Sequence, residues 1–278
     1  MENKEFTIGN IFFMNEYETR GLIYEIFHQN FYLQEYLCLG PGSIVIDVGS
    51  HVGIFSRFAM YKCEGDATVY SFEPIPASFE CLRKNMAHYK GKVHLYNMGI
   101  ANVSDDCSTE FTIFGHDFTT ATYKPNDKLI SNYNPLLNYE RLLKISKFRD
   151  KSLYYKLRFL PFMRNKLIEK NFNQRTIKTK IKCKLISLGD FILSNNLRHI
   201  DLVKIDVEGS EFEVLKSIKP EQFSGIKQLS IEVHNINNRV EHITSYLRQY
   251  GYIIDVDQNW IYKNLDMNQY MIYAKKPN

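Results

Sequence analysis

The chain reads as an α/β fold, a doubly wound and mostly parallel sheet, and three observations predict it. Short β-branched runs alternate with helical patterns along most of the 278 residues, as in a parallel sheet covered by helices on both faces. A glycine turn, Gly49 to Gly53, directly follows the first apolar run. Acidic residues mark the ends of later runs at Glu73, Asp206 and Glu232. Open α/β sheets bind their ligands there, outside the carboxyl ends of the strands.

The elements follow in order. Residues 43–47 form a continuous apolar run after the turn signal Gly40-Pro41-Gly42, as expected of a strand buried on both faces. Residues 53–62 read as a helix and 68–72 as a second strand. Pro76 suits the first turn of the next helix, which sets Phe79, Leu82 and Met86 on one face. A third strand spans 93–98 and a fourth 200–205, followed by a helix near 211–218. The fifth strand is 229–233. A helix around 239–250 then carries Val240, Ile243, Leu247 and Tyr250 on one side. Two last β-like stretches, near 252–256 and 270–274, read as a closing hairpin with one antiparallel member. The whole is expected to be one domain over 1–278, with residues 1–40 as an N-terminal cap. There is no internal repeat.

About 100 residues separate the third and fourth strands, whereas a crossover needs only about a dozen. The excess, roughly 115–185, reads as a largely helical insertion. Residues 124–184 hold 17 Lys/Arg against 4 Asp/Glu, a local balance of +13, so the rest of the chain, within a total of +4, sums to −9. Within it, residues 153–168 mix Leu, Tyr, Phe and Met with Lys156, Arg158, Arg164 and Lys166, interrupted at Pro161. Two readings stand: a solvated helical pair packed over the sheet edge, or a lid that attracts an anionic partner or a membrane surface.

Composition excludes several classes. With 44% hydrophobic and 24% charged residues, the chain is neither disordered nor collagenous. No window approaches the roughly 18 apolar residues of a spanning helix. The first residues lack the basic start and apolar stretch of a secretory leader, so a cytoplasmic location is expected. Five widely spaced cysteines show no zinc-site spacing and read as reduced thiols.

Five places along the chain carry candidate chemistry. Asp47-Val-Gly49-Ser50-His51-Val-Gly53 opens a helix whose N-terminus suits a carboxylate. Its spacing is GxxxG, so the dinucleotide fingerprint GxGxxG is not met, and a plain tight turn is the alternative. Glu73, ending the second strand 20 residues after Gly53, can accept both hydroxyls of a ribose. Asn97 stands either against an adenine edge or as an ordinary turn residue before Gly99. Asp206 and Glu208 end the fourth strand. Alternation puts Glu232 and His234 on one side of the fifth strand if it continues that far. His234 is the leading candidate for a general base, since its ordinary pKa lies near neutrality; a structural strand-end histidine is the other reading.

Taken together, VIDVGSHVGIFS, FEP, the Asn97-Met-Gly99 turn, DLVKIDVEGSEFEVLK and IEVH resemble the FkbM family of methyltransferases over roughly residues 20–256. The KIDVEG block is the most distinctive piece, and Glu25 and Tyr32 sit where that family often has a Glu and a Tyr. The resemblance implies a seven-stranded class I methyltransferase sheet with S-adenosylmethionine as cofactor. It also implies transfer of a methyl group to a hydroxyl of a small-molecule natural product, a sugar or glycan, or a carrier-tethered intermediate. It assigns Asp47, Gly49, Gly53 and Glu73 to the cofactor, joined by Ser50, His51 and Asn97 from the turns. Asp206, Glu208, Glu232 and His234 become the acidic and basic lining of the acceptor site. Magnesium between Asp206 and the Glu232/His234 strand end is a minor possibility.

Rival classes fit less well. A dehydrogenase would want GxGxxG. A nucleic-acid methyltransferase could use the basic segment for phosphates, but an amino-group methylase commonly carries Asn/Asp-Pro-Pro-aromatic where this chain has Asp206-Val-Glu-Gly, so no nucleic-acid partner is expected. A non-catalytic cofactor-binding or membrane-surface module is the third rival.

Overall fold

The computed structural model describes residues 11–34, 36–89, 91–104, 107–114, 117–122, 139–149, 151–176, 178–258, 263 and 267–277. The main sheet contains β1 (Ser43–Val48), β2 (Ala67–Phe72), β3 (Val93–Tyr96), β8 (Leu202–Ile205), β9 (Gln228–His234), β10 (Ile253–Asp257) and β11 (Gln269–Lys275). Their order across the sheet is β10-β11-β9-β8-β1-β2-β3. The pairings β3-β2-β1-β8-β9 are parallel, and β11 runs antiparallel to both β9 and β10. The expected closing hairpin with one antiparallel member is therefore present.

Neighbouring residues of β1 feed opposite cores, as a strand's two-residue period requires. Val45 joins one cluster with Phe58 and Leu82, under α2 (Ile54–Lys62) and α3 (Pro76–Asn85). Ile46 joins the other with Phe72, Val203, Ile231 and Leu247, under α7 (Leu188–Ser194), α8 (Glu211–Lys216) and α9 (Arg239–Gln249). The N-terminal segment, α1 (Glu16–Ile23) and its continuation, packs Ile26, Phe31, Tyr32, Leu33 and Leu37 onto the first cluster.

One expectation needs correction. The third strand stops at Tyr96, and Gly99–Ile100 instead forms β4, parallel to β7 (Lys178–Ile186) in a second sheet. Gly99 fits there because the place of a Cβ is taken by Leu185 Cδ2 at 2.8 Å. The insertion carries strand as well as helix: β5 (Cys107–Phe114) lies just before it and β6 (Asp117–Thr122) opens it, and the second sheet has the order β4-β7-β5-β6. Among the described residues, three α-helices lie between β6 and β7: α4 (Tyr139–Arg149), α5 (Lys151–Phe159) and α6 (Arg164–Thr176). Phe111, Ile113, Cys183 and Leu185 build a small core under this sheet, and Leu142, Leu157 and Ile168 another among the helices. Residues 123–138 of the insertion lie outside the described residues. No helix among the described residues is long and apolar enough to cross a membrane. All five cysteines are free.

Candidate active site

The tips of β1, β2, β8 and β9 meet at one end of the sheet. At the end of β1 the chain enters its turn through Gly49, whose φ of +80° lies in the left-handed region. A Cβ there would stand 1.8 Å from the Asp206 carbonyl oxygen. Gly53, φ +87°, starts α2, and its Cβ would meet Leu82 Cδ1 at 2.6 Å. The glycines thus give room to the protein's own backbone and core, where the sequence suggested approach by a ligand. The Gly49 and Ser50 amides both donate to the Phe72 carbonyl, at 3.0 and 2.9 Å. Ser50 Oγ donates to the Asp47 carbonyl at 2.8 Å.

Asp47 is fully buried and acts inside the protein. Its Oδ2 accepts from Ser56 Oγ at 2.6 Å, and its Oδ1 lies 3.3 Å from Lys204 Nζ. Lys204, also buried, donates to the Gly49 carbonyl at 2.7 Å and stands 3.6 Å from Asp206 Oδ2. Burial opposes its charge, but Asp47 and Asp206 outweigh that and hold the ammonium above its ordinary range. One cation therefore ties the glycine turn to both strand-end acids.

Glu73 turns toward the glycine loop. Its Oε2 accepts from the His51 amide at 2.9 Å and its Oε1 from the Ile75 amide at 2.8 Å. Burial pushes this carboxyl up to about 7, against the pull of the two amides and of Lys204. Asn97 is exposed, and its amide donates to the carbonyls of Glu73 and Pro74 at 2.9 and 3.1 Å. Of the two readings of Asn97, its donor group serves the turn.

On the β8–β9 side, Tyr32 of the N-terminal segment lies 2.8 Å from Asp206 Oδ2 and 3.1 Å from Glu232 Oε2. Burial, together with Asp206, Glu208 and Glu25, holds the Glu232 carboxyl well above the ordinary range, against the pull of His234. A protonated Glu232 donates to the tyrosine oxygen, which leaves the single Tyr32 proton for Asp206. Strand β9 does continue to His234, so Glu232 and His234 share its inward face.

His234 is held between two carboxylates. Its Nε2 lies 3.0 Å from Glu208 Oε2 and its Nδ1 3.0 Å from Glu211 Oε1. Burial disfavours the charge, yet the two carboxylates raise the imidazole well above its usual value. A histidine held as imidazolium has no lone pair to accept a proton. Gln269 Nε2 lies 2.7 Å from His234 Nε2. Glu208 reaches its position from a left-handed turn, φ +48°, followed by Gly209 at +91°. Among the described residues no group of three His, Cys, Asp or Glu side chains is arranged to hold a metal ion.

Residues 47–254 match the family described as Methyltransferase FkbM domain. The chain belongs to the FkbM methyltransferase family. It is 27% identical over 258 residues to 31-O-demethyl-FK506 methyltransferase FkbM of Streptomyces tacrolimicus, covering 92% of this chain and 90% of that one. A segment of AMB antimetabolite synthetase AmbE of Pseudomonas aeruginosa is 25% identical over 95% of this chain, which is 12% of the synthetase. The crystal structure of methyltransferase FkbM from Methylobacillus flagellatus superposes over 95% of this chain and 56% of that longer one, with TM-score 0.50 and 12% identity, a likeness of fold.

In this FkbM chain several site residues escaped the sequence reading. Lys204 had a signal, a lone lysine within an otherwise apolar strand. Glu211, wholly buried, binds the Gly209 amide at 2.7 Å, His234, and Arg239 Nη1 at 3.0 Å. Burial pushes its carboxyl up, but His234 and Arg239 more than offset that and hold it below the ordinary range. Arg239 and Gln269 reach the site from distant elements and carry no local signal.

Proposed function

We propose that the chain is an S-adenosylmethionine-dependent O-methyltransferase acting on a hydroxyl of a small-molecule natural product, a glycan or a carrier-tethered intermediate. One observation carries the reading: the buried Glu73 carboxylate is held onto the glycine turn by the His51 amide, with strand β1 between it and the strands that carry the Tyr32–Asp206–Glu232 cluster. The residues suit the cofactor. Ribose hydroxyls donating to Glu73 would offset its burial, since hydrogen bonds to a charged group contribute about 1.5–3 kcal/mol. The acid-rich strand ends suit the positive sulfonium. When bound, S-adenosylmethionine supplies a methyl group on a sulfur that is already an activated leaving group.

The remaining work falls to the chain. Aligning the acceptor oxygen contributes up to about 7–11 kcal/mol. In this reading Asp206 takes the hydroxyl proton, an assistance of typically about 10²–10⁴-fold. Tyr32 and Lys204 fix the orientation of its carboxylate, and the His234–Glu208–Glu211 ion group holds the tips of β8 and β9 in register. Oxygen as the receiving atom is supported by the Streptomyces relative, whose name specifies 31-O-demethyl-FK506.

Calorimetric titration with S-adenosylmethionine and S-adenosylhomocysteine tests the cofactor assignment. The wild type is expected to bind both, and Glu73→Ala to bind each at least about tenfold more weakly. A wild type that binds neither removes the reading.

A further inference from the structure

We propose that the turn between α5 and α6, Phe159-Leu160-Pro161-Phe162-Met163, is an insertion point for an anionic lipid surface. These five consecutive apolar residues are flanked by Arg158 and Arg164. Phe162 is 81% exposed and Phe159 66%, and Tyr155, one helical turn earlier, is 56% exposed. A run of exposed apolar residues this long is otherwise avoided on a protein surface.

The turn is not unfinished core. Helix α5 already buries its inward residue, Leu157, completely against Leu142 and Ile168. The turn's backbone is closed by hydrogen bonds from the Leu160 amide to the Lys156 carbonyl and from the Met163 amide to the Leu160 carbonyl, both at 3.0 Å. Arg164 reinforces it, donating from Nε to the Leu157 carbonyl at 2.8 Å and from Nη2 to the Arg158 carbonyl at 3.3 Å. The rings of Tyr155 and Phe159 stack at 6.2 Å. The apolar side chains therefore project from a braced backbone.

Charge selects the partner. Residues 151–170 contain six Lys/Arg and one acid, Glu169, and Lys151, Lys156, Arg158, Lys166 and Lys170 are exposed. A nucleic acid or an acidic peptide would satisfy these cations but leave the Phe159–Met163 tip in water. An anionic bilayer satisfies both parts, with aromatics at the acyl boundary and cations at the headgroups. Association would be interfacial, since no described helix can span.

The full chain should be tested by co-sedimentation with vesicles of phosphatidylcholine alone and of an equimolar phosphatidylcholine–phosphatidylglycerol mixture. The wild type is expected to partition at least about tenfold better into the anionic vesicles, and less so as salt rises. F159S/F162S should lower that partitioning about tenfold or more, and K156E/R158E should abolish the preference for anionic lipid. Circular dichroism confirms that each variant is folded; both substitution pairs lie at exposed positions. Equal sedimentation with and without anionic lipid overturns the proposal, as does binding that F159S/F162S leaves unchanged. Lipid-free self-association that F159S/F162S removes also overturns it, and marks the turn as a contact between copies of the chain.

Discussion

Glu73→Gln separates the cost of burying an acid from its use. The wild-type carboxyl is shifted from 4.5 to about 7 by burial, and its residue is 5% exposed, so solvent screening takes little away. At about 1.36 kcal/mol per pH unit, the displacement corresponds to roughly 3 kcal/mol. The sign follows from proton binding. Below 4.5 the group is protonated in both the folded and unfolded chain and costs nothing. As pH rises toward 7 the unfolded chain ionises first, so stability falls, and above 7 the full cost is present. Glutamine has no such titration. It keeps one oxygen for the His51 or Ile75 amide and turns an NH₂ toward the other, a loss of about 1–3 kcal/mol that does not vary with pH. Urea unfolding followed by circular dichroism should therefore show the difference between wild type and variant moving in the variant's favour by about 3 kcal/mol from about pH 4 to about pH 8. Other titrating groups are common to both proteins and cancel. Parallel curves across that range would refute a buried, raised Glu73.

Other substitutions probe the frame of the site. Gly49→Ala forces a Cβ to 1.8 Å from the Asp206 carbonyl at a left-handed φ, so it should lower stability by more than about 4 kcal/mol, read as lost soluble yield or a large fall in Tm. Lys204→Met leaves the buried Asp47 without its cation and should cost about 3–5 kcal/mol in urea unfolding; adding Asp47→Asn should restore part of it. Asp206→Asn should keep cofactor affinity in calorimetry. It should slow transfer of a labelled methyl group to a panel of hydroxylated acceptors by about 10²–10⁴-fold, and an unchanged rate would move the proton acceptor elsewhere.

The main sheet was legible because strands buried on both faces read as short apolar, β-branched runs, as Ile44-Val45-Ile46 does. The glycine turn and Glu73 were legible because each lies at a strand end with few neighbours in sequence. The second sheet was hidden by its own charge. Lys178, Lys180, Lys182 and Lys184 alternate with Thr179, Ile181, Cys183 and Leu185, a two-residue period that a count of cations registers only as a basic patch. The partners of His234 were illegible for a different reason. Its type and strand position are local, but its protonation depends on Glu211, 23 positions earlier, and on Glu208. No spacing rule reports which carboxylates will fold against an imidazole.

The carbonyl of Asp206 occupies the space that any side chain at Gly49 would need, and Lys204 joins the carbonyl of Gly49 to the carboxylate of Asp206. The glycine loop and the strand-end acid thus share a single mechanical support. Under the proposed function, occupancy on either side would bias the geometry on the other, and such coupling is reciprocal. Trimming the acceptor should therefore change the apparent affinity for the methyl donor, although the two molecules meet at one atom.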